Sequence, residues 1–313
     1  MIRNIFIRTK DCCPPTKDQD WLLSTLRWPP AEYSKALGSS LALTSFTGQP
    51  EWAIIPSMIR TETVVILAGG KGTRLSEETS LRPKPMVEIL GVPLIVRIMN
   101  HYASYGFRDF IVCAGYKGEV IKDYFWDFHR RNSDVEVDLG SGARTVLSEN
   151  NLEWRIKVVD TGLETMTGGR LLRVKEHLTD TFLMTYGDGV SDVDLEALMS
   201  FHRSQQSLAT LTSVLEPTRF AILDVDSDSR VKRFQEKPES LRRRINGGFF
   251  VLQKEVLNLI RNDDTVFEQE PLESLASAGQ LSAFSHDGFW YAVDSLRDKV
   301  NLESVLKASD FGF

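Results

Sequence analysis

The chain has 313 residues, 42% of them hydrophobic and 26% charged, so it can bury a sizeable core, and neither disorder nor a fibrous fold is expected. The net charge of −6 argues against a general nucleic-acid binder, and no apolar run approaches the length of about 18 residues that a membrane span needs. The three cysteines, Cys12, Cys13 and Cys113, follow no metal-ligand or disulfide spacing, which fits a reducing, cytoplasmic compartment.

Residues 1–57 differ in pattern from the rest of the chain. They contain short apolar islands without a sustained period and the proline pairs Pro14-Pro15 and Pro29-Pro30, which predicts mostly irregular structure. No apolar core of signal-peptide length follows the basic residues, and the acidic residues argue against an organelle transit peptide. We interpret this segment as an irregular N-terminal extension of a domain that spans residues 58–313.

A strand followed by a glycine-rich turn opens the regular part of the chain. Val64-Val65-Ile66-Leu67 is an apolar, β-branched run typical of a strand buried on both faces. The next residues read AGGKGTR, and their glycines expose backbone N–H groups and allow close approach of an anion. The spacing fits neither the P-loop nor the GxGxxG pattern. This turn is predicted to bind phosphate, with a plain turn of an α/β domain as the alternative.

A lysine between two prolines follows about ten residues later, in Arg82-Pro83-Lys84-Pro85. Proline fixes φ, so the flanking prolines lower the entropy lost when Lys84 is held at one point in space. The pattern predicts a lysine that faces a reactive anion.

Strand-like and helix-like segments alternate from Thr63 onward, which predicts a doubly wound α/β sheet. Pro93 opens a run with helical spacing, and this predicts a helix over 94–102. The segment 131–150 is polar and aperiodic, so we expect a loop or an irregular hairpin that reaches a neighbouring subunit. The other predicted elements are strands at 110–115, 156–160 and 181–186, helices over 119–129 and after Asp194, and short β segments at 209–214, 221–226, 230–235 and 248–252.

Two aspartates are predicted to stand at the carboxyl ends of strands. Asp188 lies between glycines in Tyr-Gly-Asp-Gly, and Asp294 lies far downstream in Tyr-Ala-Val-Asp-Ser. Ligands of open α/β sheets bind at that edge, and two carboxylates converging on triphosphate oxygens suit Mg²⁺. The alternative is that Asp188 caps a turn and that Asp294 caps the helix starting near Leu296.

Several short motifs complete the pattern: GGKGTRL, PKPM, GYKG, DTG, TMTGGR, YGDG, QEKP, INGGFF, EQEPL and FWYAVDSLRDK. Individually, QEKP could be a solvated turn and INGG a β-bulge. Together they resemble the sugar-phosphate nucleotidylyltransferases over residues 60–305, and TMTGGR, INGGFF, EQEPL and the closing motif resemble the cytidylyl branch. The resemblance implies a Rossmann-like doubly wound mixed sheet of the nucleotide-diphospho-sugar transferase type, with a small β-rich sugar-binding part. Members usually begin near the first strand, so we hypothesise that translation starts at Met58, which N-terminal sequencing of the native protein tests.

The resemblance also implies the reaction and the residues that perform it. The implied reaction joins CTP and glucose 1-phosphate to give CDP-glucose and pyrophosphate, with Mg²⁺ as cofactor. The residues implied by motif are Arg74 and Lys84 for catalysis, Gly69, Gly70, Gly72, Thr73, Thr167, Gly168 and Gly169 for the nucleotide, Glu236, Lys237, Asn246 and Gly247 for the sugar phosphate, and Asp188 and Asp294 for the metal.

The family further implies a homo-oligomer that uses these small molecules and has no nucleic-acid or membrane partner. One departure from the family pattern is Phe220-Ala221-Ile222, where Phe-Gly-Ala is expected, and it adds bulk beside the implied sugar pocket. Two other functions stay open at this point. One is a uridylyl- or thymidylyltransferase with the same mechanism, and the other is a catalytically silent homologue that senses sugar nucleotides.

Overall fold

The computed structural model describes residues 60–148, 152–216, 222–235 and 243–308. The predicted extension 1–57 therefore lies outside the described residues, and its interpretation stays a prediction. The strands are β1 Val64–Ala68, β2 Glu88–Ile89, β3 Val92–Pro93, β4 Asp109–Ala114, β5 Val135–Val137, β6 Arg144–Val146, β7 Arg155–Asp160, β8 Thr181–Tyr186, β9 Gly189–Ser191, β10 Ala209–Leu215, β11 Ile222–Val225, β12 Val231–Gln235, β13 Arg244–Asn246, β14 Phe250–Gln253, β15 Leu281–His286 and β16 Trp290–Ala292. The α-helices are α1 Ser76–Thr79, α2 Leu94–Ser104, α3 Gly118–Trp126, α4 Phe128–Asn132, α5 Thr167–Arg173, α6 Leu195–Gln205, α7 Glu270–Ser277 and α8 Leu296–Ala308.

A mixed sheet forms the centre of the fold. Its strands β8, β1, β4 and β7 run parallel in that spatial order, and β14 pairs antiparallel with β8. Beyond β14, β10 pairs antiparallel with β14 and β13 and parallel with β15. This is the predicted α/β class, in which a parallel centre carries an antiparallel extension on one side.

The first strand is buried on both faces, as its apolar run predicts. Val64 and Ile66 pack into one core layer with helices α2, α6 and α8, whereas Val65 and Leu67 pack into a second layer with α5 and α7. Alternate strand residues point to opposite faces, so a strand covered by helices on both sides must be apolar throughout. The continuous apolar sequence of β1 therefore indicates that this strand lies in the centre of the sheet.

The order of the parallel strands positions the candidate site. From β1 the chain moves outward through β4 to β7 and then returns to β8 on the other side of β1. A sheet whose strand order reverses in this way opens a crevice at the carboxyl ends of the two strands at the reversal. Gly69 follows β1 and Gly187 follows β8, so both predicted turns border this crevice.

Most predicted elements are confirmed within a few residues, and one helix is divided. The helix predicted over 119–129 is two helices, α3 and α4, with Asp127 between them. Asp127 departs from helical dihedral angles, with φ of −92° and ψ of 8°, and this ends the first helix. Its carboxylate accepts from the Arg130 side chain and does not cap the second helix. The segment 131–150, predicted to be a loop or an irregular hairpin, contains the short hairpin β5–β6. None of the described helices combines the length and the hydropathy that a membrane span requires.

Candidate active site

The glycines of the first turn occupy their positions for different structural reasons. Gly72 has φ of +60°, which is the left-handed conformation that glycine adopts at little cost. Gly70 is exposed, and a Cβ added there would meet nothing within 4 Å, so its backbone is open to an approaching ligand. Thr73 is also exposed and begins a single 3₁₀ turn, Thr73–Leu75. The backbone of Arg74 lies in this turn, and its side chain is outside what the structure describes.

Gly69 is required by a neighbouring side chain. A Cβ at Gly69 would lie 2.0 Å from the guanidinium of Arg170, which covers this glycine. Arg170 is buried and donates to the carbonyl oxygens of Gly69 at 3.1 Å, Gly162 at 2.9 Å and Ala114 at 3.2 Å. Burial lowers the pKa of Arg170, although a guanidinium stays charged at neutral pH. One cation thus joins the carboxyl ends of β1, β4 and β7.

Lys84 lies between the two predicted carboxylates. Its Nζ is 2.6 Å from Asp188 Oδ2 and 2.6 Å from Asp294 Oδ1. Burial acts to lower the pKa of Lys84, but Asp188 and Asp294 outweigh burial, so the pKa is raised above its ordinary value. Pro83 and Pro85 are both buried on either side, and Pro85 contacts the turn after β8 where a Cβ on Gly187 would lie 2.7 Å from its ring. The predicted constraint on the lysine is therefore present.

Pairing of two short strands brings the aspartates together. Asp188 directly precedes β9 and Asp294 follows β16 by one residue, and these strands pair antiparallel. The helix α8 is capped by other groups: Ser295 Oγ accepts from the Asp298 backbone N–H, and Asp298 Oδ2 accepts from the backbone N–H of Ser295. Ser295 and Asp298 thus cap this helix, in place of the alternative role considered for Asp294. The Asp294 carboxylate instead accepts from Lys84.

The two carboxylates fit a magnesium ion by donor type and by position. Because both accept from the same Nζ at 2.6 Å, the two oxygens are at most about 5 Å apart. Mg²⁺ prefers oxygen ligands at about 2.0–2.1 Å and is often held by only one or two carboxylates together with substrate phosphates and water. Among the described residues, no group of three or more acidic, histidine or cysteine side chains is placed to hold a metal. A two-carboxylate site that substrate completes is the arrangement these residues allow.

An open cavity of about 320 Å³ lies over this edge of the sheet. Its walls include the three glycines of the first turn, the lysine with one of its two aspartates, and the first residue of α5. These residues are Gly69, Gly70, Gly72, Lys84, Asp188 and Thr167. Gly168 and Gly169 are buried behind Thr167. A Cβ on either would strike the backbone of Thr265 or Asp263, at 2.7 Å and 2.5 Å, so these glycines let a downstream loop pack against α5.

The predicted sugar-side residues are described in part. Asn246 ends β13, and its side chain donates to Tyr186 Oη at 3.2 Å, beside the cavity wall. Gly247 is buried, and its carbonyl oxygen accepts from the Trp290 indole N–H at 2.7 Å. Glu236 and Lys237 lie outside the described residues, so their assignment stays a prediction.

Sequence reasoning missed Arg170, Tyr186 and Glu268. Arg170 and Glu268 lie in the quoted motifs TMTGGR and EQEPL, and Tyr186 directly precedes Gly187-Asp188. A buried arginine is uncommon and usually paired. The burial of Arg170 follows from the packing of α5 against neighbouring loops, which the sequence alone does not show. Motif membership was the one available signal.

The fold and the site define an α/β protein with an open cavity at the switch point of its sheet, where a lysine paired with two aspartates lies beside a glycine-rich turn. The chain belongs to the nucleotidyl transferase family, whose model matches residues 63–299. The chain is 51% identical over 243 residues to the glucose-1-phosphate cytidylyltransferase of Salmonella typhi, covering 77% of this chain and 94% of that relative. It is 41% identical to the probable glucose-1-phosphate cytidylyltransferase of Bacillus subtilis, with the same coverage. The solved structure of HddC from Yersinia pseudotuberculosis shares the fold, with a TM-score of 0.58 at 24% identity over 78% of this chain and 99% of that one.

Proposed function

We propose that the protein transfers the cytidylyl group of CTP to α-D-glucose 1-phosphate and releases pyrophosphate, with CDP-glucose as the product. The observation that carries this proposal is the position of Lys84 between Asp188 and Asp294, in the cavity that the glycine-rich turn also lines. The identity of 51% to a relative named for this reaction, over 94% of its length, supports the choice of base and sugar.

In this proposal the residues divide by substrate. The backbone of Gly69, Gly70 and Gly72, with Thr73 and Arg74, holds the triphosphate. Thr167 faces the nucleoside, with Gly168 and Gly169 behind it. Asn246 and Gly247, together with Glu236 and Lys237, bind glucose and its phosphate. The open backbone at Gly70 and the position of Thr167 in the cavity wall support the first two assignments.

The chemistry requires charge neutralisation more than proton transfer. The attacking oxygen of a sugar phosphate is already ionised, so no general base has to create it. The obstacle is the approach of one anion to another, and catalysis then consists of alignment and of stabilising charge on the transferring group. Lys84 is placed to supply positive charge there, and Arg74 is proposed to assist it at the departing pyrophosphate.

We propose Asp188 and Asp294 as the residues that hold Mg²⁺, which when bound neutralises phosphate charge and aligns an in-line displacement. Each aspartate accepts from Lys84 at 2.6 Å in this structure. Bound substrate phosphates offer Lys84 new hydrogen-bond acceptors. When Lys84 binds them, Asp188 and Asp294 are available to bind another cation. The charge of Lys84 is thus kept at the site in both arrangements.

The experiment that tests the function is an assay of pyrophosphate release with glucose 1-phosphate and each of CTP, UTP, dTTP, ATP and GTP. CTP is expected to give the highest kcat/KM. A higher value with UTP or dTTP would assign the chain to the alternative uridylyl or thymidylyl reaction, and no turnover with any nucleotide would favour the silent homologue. The presence of Lys84, Asp188 and Asp294 at one site argues against the silent homologue.

We further propose that the protein is a homo-oligomer joined through the hairpin β5–β6. Leu139, at the hairpin turn, is 92% exposed, and Trp126, at the end of α3, is 90% exposed. A groove of about 430 Å³ beside Trp126 is lined by aromatic and aliphatic side chains, among them Phe128 and Trp154. An apolar projection and an apolar groove on one chain allow each copy to dock into the next, and exposed apolar surface of this kind commonly marks an interface.

Leu139→Asp is expected to lower the mass of the protein in solution, because a charge at the hairpin turn opposes its burial in a neighbouring groove. Light scattering coupled to size-exclusion chromatography measures this mass. Val300→Asp serves as the control, since Val300 is an exposed apolar residue on α8. A monomeric wild-type protein, or a Leu139→Asp variant of wild-type mass, contradicts the proposal.

A further inference from the structure

Glu268 lies just before α7, and both oxygens of its carboxylate accept from hydroxyl groups. Oε1 is 2.7 Å from Tyr186 Oη, and Oε2 is 2.5 Å from Thr167 Oγ1. An ionised carboxylate only accepts hydrogen bonds, so both hydroxyls donate to it. The orientation of each hydroxyl hydrogen is therefore set by Glu268.

The same two hydroxyl oxygens also accept, which extends the chain of hydrogen bonds on both sides. Tyr186 Oη accepts from Asn246 Nδ2 at 3.2 Å, and Thr167 Oγ1 accepts from the Phe267 backbone N–H at 2.9 Å. Asn246 is oriented in turn, because its Oδ1 accepts from the Gly248 backbone N–H at 2.9 Å. A connected network in which each donor has one direction is more rigid than its separate bonds.

This network crosses the candidate site. Thr167 and Tyr186 both line the cavity, with Thr167 on the proposed nucleoside side, whereas Asn246 is on the proposed sugar side. Burial raises the pKa of Tyr186, and Glu268 raises it further, so the phenol keeps the proton that it donates. Glu268 is the group that both branches share.

We propose that Glu268 is a positioning residue that holds the sugar-binding and the nucleoside-binding side chains in one arrangement. It acts on the sugar side through Tyr186 and Asn246, and on the nucleoside side through Thr167. The inference rests on the proposed function, because it takes glucose 1-phosphate and CTP as the two ligands. Glu268 and Tyr186 have no role among the residues assigned by motif.

The test measures KM for each substrate with the other saturating, together with kcat. Tyr186→Phe removes the link to the sugar side, and it is expected to raise KM for glucose 1-phosphate about five- to tenfold with little change in KM for CTP. Thr167→Val is expected to show the reverse. Glu268→Ala cuts both links and is expected to raise both KM values, whereas kcat changes less because Lys84 and the two aspartates are untouched.

A double variant distinguishes positioning from simple damage. If Tyr186 acts through Glu268, Glu268→Ala combined with Tyr186→Phe raises KM for glucose 1-phosphate no further than Glu268→Ala alone. Glu273→Ala is the matched control, an exposed acid on α7, and it is expected to leave both KM values unchanged. Glu268→Gln keeps one acceptor oxygen and provides a milder variant if Glu268→Ala does not fold.

Two results overturn the inference: folded Glu268 variants with wild-type KM for both substrates, or fully multiplicative effects in the double variant. Failure of the proposed function is a separate outcome, because it is read from wild-type protein that releases no pyrophosphate from CTP and glucose 1-phosphate.

Discussion

Lys84→Ala is expected to lower kcat by about 10²–10³-fold while the protein stays folded. The ammonium group is held between Asp188 and Asp294 at the edge of the cavity. In the proposed reaction, negative charge develops there as one phosphate approaches another. Alanine removes this charge without introducing bulk, and the neighbouring prolines keep the backbone in place. Steady-state assays at saturating substrate measure kcat, and far-ultraviolet circular dichroism reports the fold.

The same variant also gives a measurement that does not depend on turnover. Because Lys84 no longer occupies the two carboxylates, Mg²⁺ is expected to raise the melting temperature of Lys84→Ala more than that of the wild type. Lys175→Ala is the control, since Lys175 is exposed and pairs with its neighbour Glu176 at 3.9 Å. A kcat close to the wild-type value in Lys84→Ala would remove Lys84 from the catalytic group.

Arg170→Met is expected to cause the largest loss of stability among the substitutions considered. The buried guanidinium donates to carbonyl oxygens at the carboxyl ends of three strands and to Thr161 Oγ1, the last at 2.7 Å. Methionine fills similar space but leaves these buried acceptors without a donor, at about 1–3 kcal/mol for each that stays unsatisfied. We expect a net loss of about 3–5 kcal/mol in the free energy of unfolding, measured by urea denaturation.

A raised KM for CTP should accompany this loss, because the guanidinium packs against Gly69 in the turn proposed to bind the triphosphate. Arg173→Met is the matched control on the same helix. Arg173 is exposed and pairs with Asp263 at the surface, where an ion pair contributes little to stability. Equal unfolding midpoints for the Arg170 and Arg173 variants would show that the buried hydrogen bonds do not hold these strand ends together.

The local elements were predictable because each depends on a short pattern. The apolar run of β1 and the helical spacing after Pro93 identified a strand and a helix that the structure confirms. Divided helices are harder to predict, since the break at Asp127 is a change in the backbone dihedral angles of one residue within a segment whose helical pattern is otherwise continuous. The glycine-rich turn was found by composition, yet composition did not separate Gly70, which is open, from Gly69, which lies under Arg170.

The sequence by itself determined the fold class, the family and the identity of the two aspartates and the lysine. These depend on local periodicity and on motifs whose residues are close in the chain. Only the tertiary structure decided that Lys84 bridges Asp188 and Asp294, which are separated from it by 104 and 210 residues. It also decided that Arg170 ties the carboxyl ends of three strands together and that Glu268 joins two hydroxyl groups. Such contacts depend on strand order and on the antiparallel pairing of β9 with β16, and no local pattern specifies which distant side chains that pairing brings together.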